Sequence, residues 1–444
     1  MIRPRCIPIV SLLLALAGGC LFAAPVENVN RLAGDTFPLS ARSAILIDQA
    51  TGRVLYQRDP DEPFVPASLA KLMTLHIVLQ KLEDRSISRS DVVSLTANAW
   101  ADHQTPGSTL MNLGPGQIVT VEELMKGAAV ASGNDAATAL AEYVAGSTRA
   151  FVRMMNDEAR FMGYTAMRFT DPAGMGDDNR VTAREFADFC RRYIDQHPAA
   201  LAEFHSLREF DYPLAQNMPE GRLLPVQTKK QYNGNYLVWD GIGVDGLKTG
   251  HLDDENFTAA ITAQRGEMRL IAVLLGVPGH SLAEGARNRT EDSLALLSYG
   301  FQHYSTIALD APALPPVRVW KGQAREIAMA PAAPVRLTAS REELSRLTYS
   351  VLARMPLVAP VLKGQKVGDL LYSAGDDEVR RVPLLAATDV EEAGPVRWTW
   401  DSISLGLFSL LEDTSFALHA ALDSLQQSTI VSAGKSASIE RRTP

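Results

Sequence analysis

The sequence predicts an α+β fold: an antiparallel sheet flanked by helices, followed by a small all-β domain and a C-terminal amphipathic helix. Three observations carry that prediction. Apolar, β-rich runs separated by turns stand at both ends of the stretch from Ser43 to Val277, with capped helical patterns between them. Short alternating runs between turn residues fill the chain from Val317 to about Val390, and from Val396 onward apolar residues recur at helical spacing.

The 444 residues are enough for two or three domains, and the 46% that are hydrophobic can build a sizeable core. The net charge of −8 argues against nucleic-acid binding, which calls for a clustered basic surface. Of the three cysteines, Cys6 and Cys20 lie in or beside the leader, so no disulfide framework can form in the folded body. Cys190 shares a helical face with Phe186, Tyr193 and Ile194, the setting of a buried structural thiol.

Residues 1–24 read as a signal peptide. Arg3 and Arg5 make a basic start, and Ile9 to Ala17 is an apolar run too short to span a bilayer. Two endings fit: cleavage near Ala23 or Ala24, or a lipobox-like Leu16-Ala17-Gly18-Gly19-Cys20 that would leave Cys20 lipidated. Either way the chain is expected to be exported.

Residues 30–305 form the expected first domain. Ser43 to Asp48 and Arg53 to Tyr56 read as a hairpin around Thr51-Gly52, and Pro66 then opens a helix containing the apolar run Leu72 to Leu82. Thr120 with Glu123, and Thr182 with Glu185, are spaced as capping boxes, and a helix from about Ser147 to Met162 stops at Gly163. Phe257 to Ala263 and Met268 to Val277 read as two strands joined at Arg265-Gly266-Glu267, and Leu282 to Tyr304 as a long closing helix. Pro312 to Pro316 marks a boundary. Beyond it, residues 312–392 read as the all-β domain, with runs at Val317 to Trp320, Val335 to Thr338, Tyr349 to Leu352 and Val367 to Leu370, and no catalytic cluster. In residues 396–425, Trp400, Ile403, Leu407, Leu410, Leu411, Leu418, Leu422 and Leu425 share one face, which suits packing on the β domain or an in-plane membrane anchor. Residues 428–444 are Ser/Ala-rich and read as a disordered tail.

The chemistry is concentrated in three short motifs. Ser68 and Lys71, three residues apart at a helix start, share one face, and a lysine taken out of water can lose enough basicity to accept the serine's proton. A lone Ser-X-X-Lys is commonplace, but here Ser132-Gly133-Asn134 and Lys248-Thr249-Gly250 follow in order. Together they form the signature of active-serine, penicillin-recognising enzymes. The residues match in chemistry: Ser132 can relay a proton, Asn134 can bond an amide, and cationic Lys248 with the Thr249 hydroxyl can hold a carboxylate. Gly250 permits close approach at the strand edge. His251, an exposed strand-edge residue without metal spacing around it, need not act through its imidazole. No metal or cofactor is called for.

With its leader, β domain and amphipathic C-terminus, the chain resembles the serine D-alanyl-D-alanine carboxypeptidases, the low-molecular-weight penicillin-binding proteins. The resemblance spans Ser43 to Leu411 and is densest around Ser68, Ser132 and Lys248. It implies a β-lactamase/transpeptidase-like fold, with peptidoglycan stem peptides as substrates and β-lactams as acylating inhibitors. It also implies a periplasmic site, attached to the outer face of the inner membrane through the C-terminal helix. Ser68 would be the nucleophile and Lys71 its base, with the backbone N–H groups of Ser68 and His251 as the oxyanion hole. Two departures bear on substrate preference: Leu252 stands where relatives often carry threonine, and Gly234 where some carry a basic residue. A class A-like β-lactamase would share the motifs, but no Glu-X-X-Leu-Asn stretch lies between Asn134 and Lys248. A non-turnover penicillin sensor would be free to lose Ser132 or Lys248, and both are present.

Overall fold

The structure, a computed structural model, describes residues 38–218 and 227–407. The expected leader with Cys20, the expected amphipathic segment beyond residue 407 and the expected tail lie outside the described residues.

Five antiparallel strands make the central sheet: β1 (Ser43–Asp48), β2 (Val54–Arg58), β3 (Val244–His251), β4 (Phe257–Arg265) and β5 (Met268–Val277), in the order β2-β1-β5-β4-β3. The N-terminal hairpin thus pairs with the last strand, and β3, which carries Lys248, is an edge strand. Successive side chains on a strand point to opposite faces. Ile45, Ile47, Ile271, Val273 and Leu275 join one core, while Ala44, Leu46, Leu270, Ala272 and Leu274 join the other. Both faces are covered, so β5 reads from Leu270 to Leu275 as an unbroken apolar run rather than an alternating one.

The first core is closed by α1 (Ala70–Glu83), α2 (Val121–Ala129), α3 (Asn134–Ala145), α4 (Thr148–Phe161) and α5 (Ala183–Gln196), the second by α6 (Leu282–His303). Every residue of α1 from Ala70 to Leu79 is buried, so this helix is enclosed on all sides. Thr120 and Glu123 form the expected capping box. The second box is only half formed: Thr182 Oγ1 accepts from the Glu185 N–H at 3.2 Å, but the Glu185 carboxylate turns away to accept from the N–H groups of Thr165, Ala166 and Met167. That turn offers three backbone donors where the N-cap offers one. Cys190 is fully buried, and burial pushes its thiol pKa up, as befits an inert thiol.

Residues 308–335 and 343–407 belong to a second compact unit. Its main sheet holds Met329–Pro331, Asp377–Ala386, Lys366–Ala374 and Leu347–Ala353 in that order; a smaller one joins Glu326–Ile327, Val317–Trp320 and Leu357–Val358. The run from Val335, expected within the β domain, divides differently. Residues Arg336–Glu342 cluster with the first unit, where the Thr338 hydroxyl lies 3.0 Å from those of both Thr51 and Thr306. A helix covers 395–407. Its Asp401 accepts from the Lys321 N–H at 2.6 Å, and Val396, Trp400, Ile403 and Leu407, spaced on one face, are 75%, 68%, 53% and 58% exposed.

Candidate active site

Ser68 lies in a one-turn 3₁₀ segment, Ala67–Leu69, that leads into α1. Ala67 takes φ +48, a left-handed conformation that costs an L-residue energy and is held by its surroundings: a Cβ on Gly174 would overlap the Ala67 carbonyl. Lys71, one turn on, is fully buried. Its Nζ stands 2.9 Å from Ser68 Oγ, 2.7 Å from Asn134 Oδ1 and 2.9 Å from the Ala173 carbonyl. Burial lowers its pKa to about 7, against the pull of the Asp171 and Asp135 carboxylates. Asn134 Oδ1 and the Ala173 carbonyl can only accept. A neutral amine therefore donates one N–H to each and turns its lone pair to the Ser68 hydroxyl.

Two carboxylates that the motif reading passed over build this cradle. Asp135 accepts backbone N–H bonds from Met111, Asn112, Leu113 and Ala136 at 2.8 to 3.0 Å, which ties the loop before α2 to the start of α3. Asp171 accepts from Ala173, Gly174, Met175, Gly176 and the Asn179 side chain at 2.6 to 3.0 Å, fixing the carbonyl that Lys71 uses. Burial works to raise the Asp171 pKa, but the donors from Asn179 and the backbone outweigh it and the net shift is downward. Asp171-Pro172-Ala173-Gly174 has the composition of an Asx turn, which is the sequence signal that marks it. Ser132, at φ +57 between α2 and α3, has its carbonyl held by Thr109 Oγ1 at 2.7 Å. Among the described residues its hydroxyl makes no hydrogen bond to Ser68, Lys71 or Lys248.

β3 supplies the opposite wall. A Cβ on Gly250 would come within 2.9 Å of the Ser68 nitrogen, so a glycine is what allows strand and nucleophile turn to meet. Lys248 departs from the expectation of a simple cation. It is buried, its Nζ donates to the Thr249 carbonyl at 2.8 Å, and burial, followed by repulsion from Lys71 and Arg289, lowers its pKa well below the ordinary value. Arg289 of α6 was missed. Its Nη1 donates to the Gly250 carbonyl at 2.8 Å and Nη2 to the Gly234 carbonyl at 3.3 Å, while Nε is buried without a partner. Burial lowers its pKa only to about 10, so it keeps its charge at neutral pH. The available signal was an arginine flanked at i−4 and i+4 by Gly285 and Ser293 on the buried face of α6. His251 is half-buried rather than exposed: its ring packs 4.3 Å from that of Phe257, and burial first, then Arg289, lowers its pKa, keeping it neutral. Behind β3, His205 Nδ1 lies 3.0 Å from the Leu247 carbonyl and Nε2 lies 2.7 Å from Tyr193 OH, which fixes one neutral tautomer.

A buried lysine beside a serine, with a cationic strand edge opposite, is an acyl-transfer site built for substrates carrying a carboxylate. Residues 30–279 match the family model described as D-alanyl-D-alanine carboxypeptidase, and residues 301–392 match that of the penicillin-binding protein 5 C-terminal domain. The chain is 34% identical to the D-alanyl-D-alanine carboxypeptidase DacC of Escherichia coli over 405 residues, 89% of this chain and 96% of the relative. Among solved structures it resembles penicillin-binding protein 5 from Haemophilus influenzae, with a TM-score of 0.71, 30% identity, and coverage of 80% of this chain and 98% of that one. Penicillin-binding protein D2 from Listeria monocytogenes in its ampicillin-bound form gives a TM-score of 0.50 at 25% identity, covering 59% of this chain and 98% of that one. The chain belongs to the D-alanyl-D-alanine carboxypeptidase family and is a serine-type carboxypeptidase.

Proposed function

We propose that this carboxypeptidase removes the terminal D-alanine of peptidoglycan stem peptides through an acyl-enzyme on Ser68. The observation that carries the assignment is the 2.9 Å approach of Lys71 Nζ to Ser68 Oγ, with both competing acceptors of the amine already placed. The neutral Lys71 takes the Ser68 proton as Oγ attacks the carbonyl between the two D-alanines. The backbone N–H groups of Ser68 and His251 stabilise the resulting oxyanion. Ser132 passes the proton from Lys71 to the departing amine, the C–N bond breaks and D-alanine leaves. Lys71 then draws a proton from water, which cleaves the ester and restores Ser68. Asn134 positions the substrate amide, while Arg289, Lys248 and Thr249 receive the terminal carboxylate, whose arrival favours the charged form of Lys248. β-Lactams acylate the same serine, a reading supported by the ampicillin-bound relative.

The enzyme works outside the cytoplasm, exported by its leader and attached to the outer face of the inner membrane by the C-terminal helix. Support for attachment comes from the exposed stripe of Val396, Trp400, Ile403 and Leu407, an apolar face left in solvent at the end of the β domain. Among the described residues no helix is long and apolar enough to cross a membrane. Incubation with a peptide ending in D-Ala-D-Ala and assay of free D-alanine tests the reaction. Fractionation tests the location: the full chain should resist a salt wash and dissolve in detergent, whereas a chain ending at Glu392 should be soluble in the periplasm. A membrane-bound shortened chain would transfer the anchor to Cys20.

A further inference from the structure

A cavity of about 550 Å³ adjoins the catalytic cluster, with no residue of β3 or α6 in its lining. It shares Asn134 and Ala173, two of the groups that hold Lys71, and no residue of the cationic strand edge lines it. A substrate bound with its terminal carboxylate at Thr249 and Arg289 keeps its leaving D-alanine at the strand edge, so the acyl side, beyond the scissile carbonyl, has this cavity beside Asn134 in which to lie. The lining is mixed, with Val152, Pro172 and Met175 beside Gln104, Ser108 and Asn134. The Ser108 hydroxyl is buried there with no hydrogen-bond partner, a state that costs energy until a ligand satisfies it. The Asp171 carboxylate is occupied by its five donors and offers little to a ligand.

The one cation lining the cavity is Arg149, which has no hydrogen bond or ion pair among the described residues. It stands in the first turn of α4, a turn without any acidic residue, where the helix dipole disfavours positive charge. An arginine in that position gains from an incoming anion what the fold does not give it. We infer that this cavity is the subsite for the stem peptide upstream of the D-alanine pair, and that Arg149 selects peptides carrying a free carboxylate there. The inference rests on the carboxypeptidase reading of Ser68.

The test uses two N-acetylated tripeptides ending in the D-alanine pair, one with a free side-chain carboxylate on the preceding residue and one with that group amidated. The full chain should show kcat/KM roughly tenfold higher for the acid, the scale of one charge-assisted contact at a partly exposed site. In Arg149→Ala the ratio should fall to about one, and Arg149→Lys should keep an intermediate value. Arg149 is exposed, so neither change threatens folding. A ratio of one in the unaltered chain, or an unchanged ratio in Arg149→Ala, overturns the subsite assignment. Release of no D-alanine from either peptide by the unaltered chain would instead overturn the activity on which it rests.

Discussion

Gly250 meets the nucleophile turn so closely that a Cβ there would lie 2.9 Å from the Ser68 nitrogen. The contact sets the distance between the serine and the strand edge that receives substrate. Gly250→Ala, whose Cβ would also crowd the Thr258 hydroxyl that donates to the Pro66 carbonyl, should therefore push β3 and the turn apart, costing about 1–3 kcal/mol of stability by overpacking and on the order of 10²-fold in acylation rate by misplacement. Melting temperature and the rate of penicillin labelling measure the two effects. Unaltered labelling would show that the approach is incidental.

Lys71 gives the reaction its pH dependence. The amine must be neutral to take the serine's proton, and its pKa lies at about 7. Acylation rate should fall about tenfold per unit as pH drops below that value and level off above it, the signature of one deprotonated group in the free enzyme. A flat profile between pH 5 and 8 would remove Lys71 as the base.

A separate pH effect acts on stability. His205 is buried with its two ring nitrogens committed to the Leu247 carbonyl and Tyr193 OH, and burial depresses its pKa from 6.5 to about 4. The unfolded chain binds this proton and the folded chain does not. Its contribution is present above pH 6.5 and is lost as pH falls toward 4, amounting to roughly 3 kcal/mol. Melting temperature should drop across that range, and His205→Gln should flatten the part of the drop that His205 causes.

Arg289 keeps its charge at the strand edge, while burial and the nearby cations lower the pKa of Lys248, so an arriving carboxylate would favour its charged form. Arg289→Ala and Lys248→Ala should each weaken turnover of a free-acid peptide far more than that of the same peptide amidated at its C-terminus. The loss of a charge-assisted bond corresponds to about 1.5–3 kcal/mol, or roughly ten- to 150-fold. Equal losses on both peptides would assign these residues to folding alone.

The sequence made the sheet legible because its strands are apolar runs with turns between them, and it exposed the catalytic core because Ser68 and Lys71 are local neighbours. What it hid depends on tertiary contact. Asp171 leaves only the local signal of an Asx turn, and Asp135 acts through backbone N–H groups of residues 111–113, which every residue has, so its partners leave no pattern. Arg289 and His205 reach β3 from elements 39 and 42 residues away along the chain. The charge state of Lys248 is a property of burial beside Lys71 and Arg289, which spacing does not encode. The half-formed cap at Thr182 has the same origin, since Glu185 found better donors in a loop 20 residues earlier.

The central claim is that Ser68 forms the acyl-enzyme. Intact mass of the purified chain after incubation with penicillin, with D-alanine release from a D-Ala-D-Ala peptide assayed in parallel, tests it most directly. The unaltered chain should gain one penicillin, mapping to the peptide that contains Ser68, and should release D-alanine. Ser68→Ala, which removes only a hydroxyl, should melt at nearly the same temperature and do neither. Penicillin bound covalently to Ser68→Ala would contradict the account.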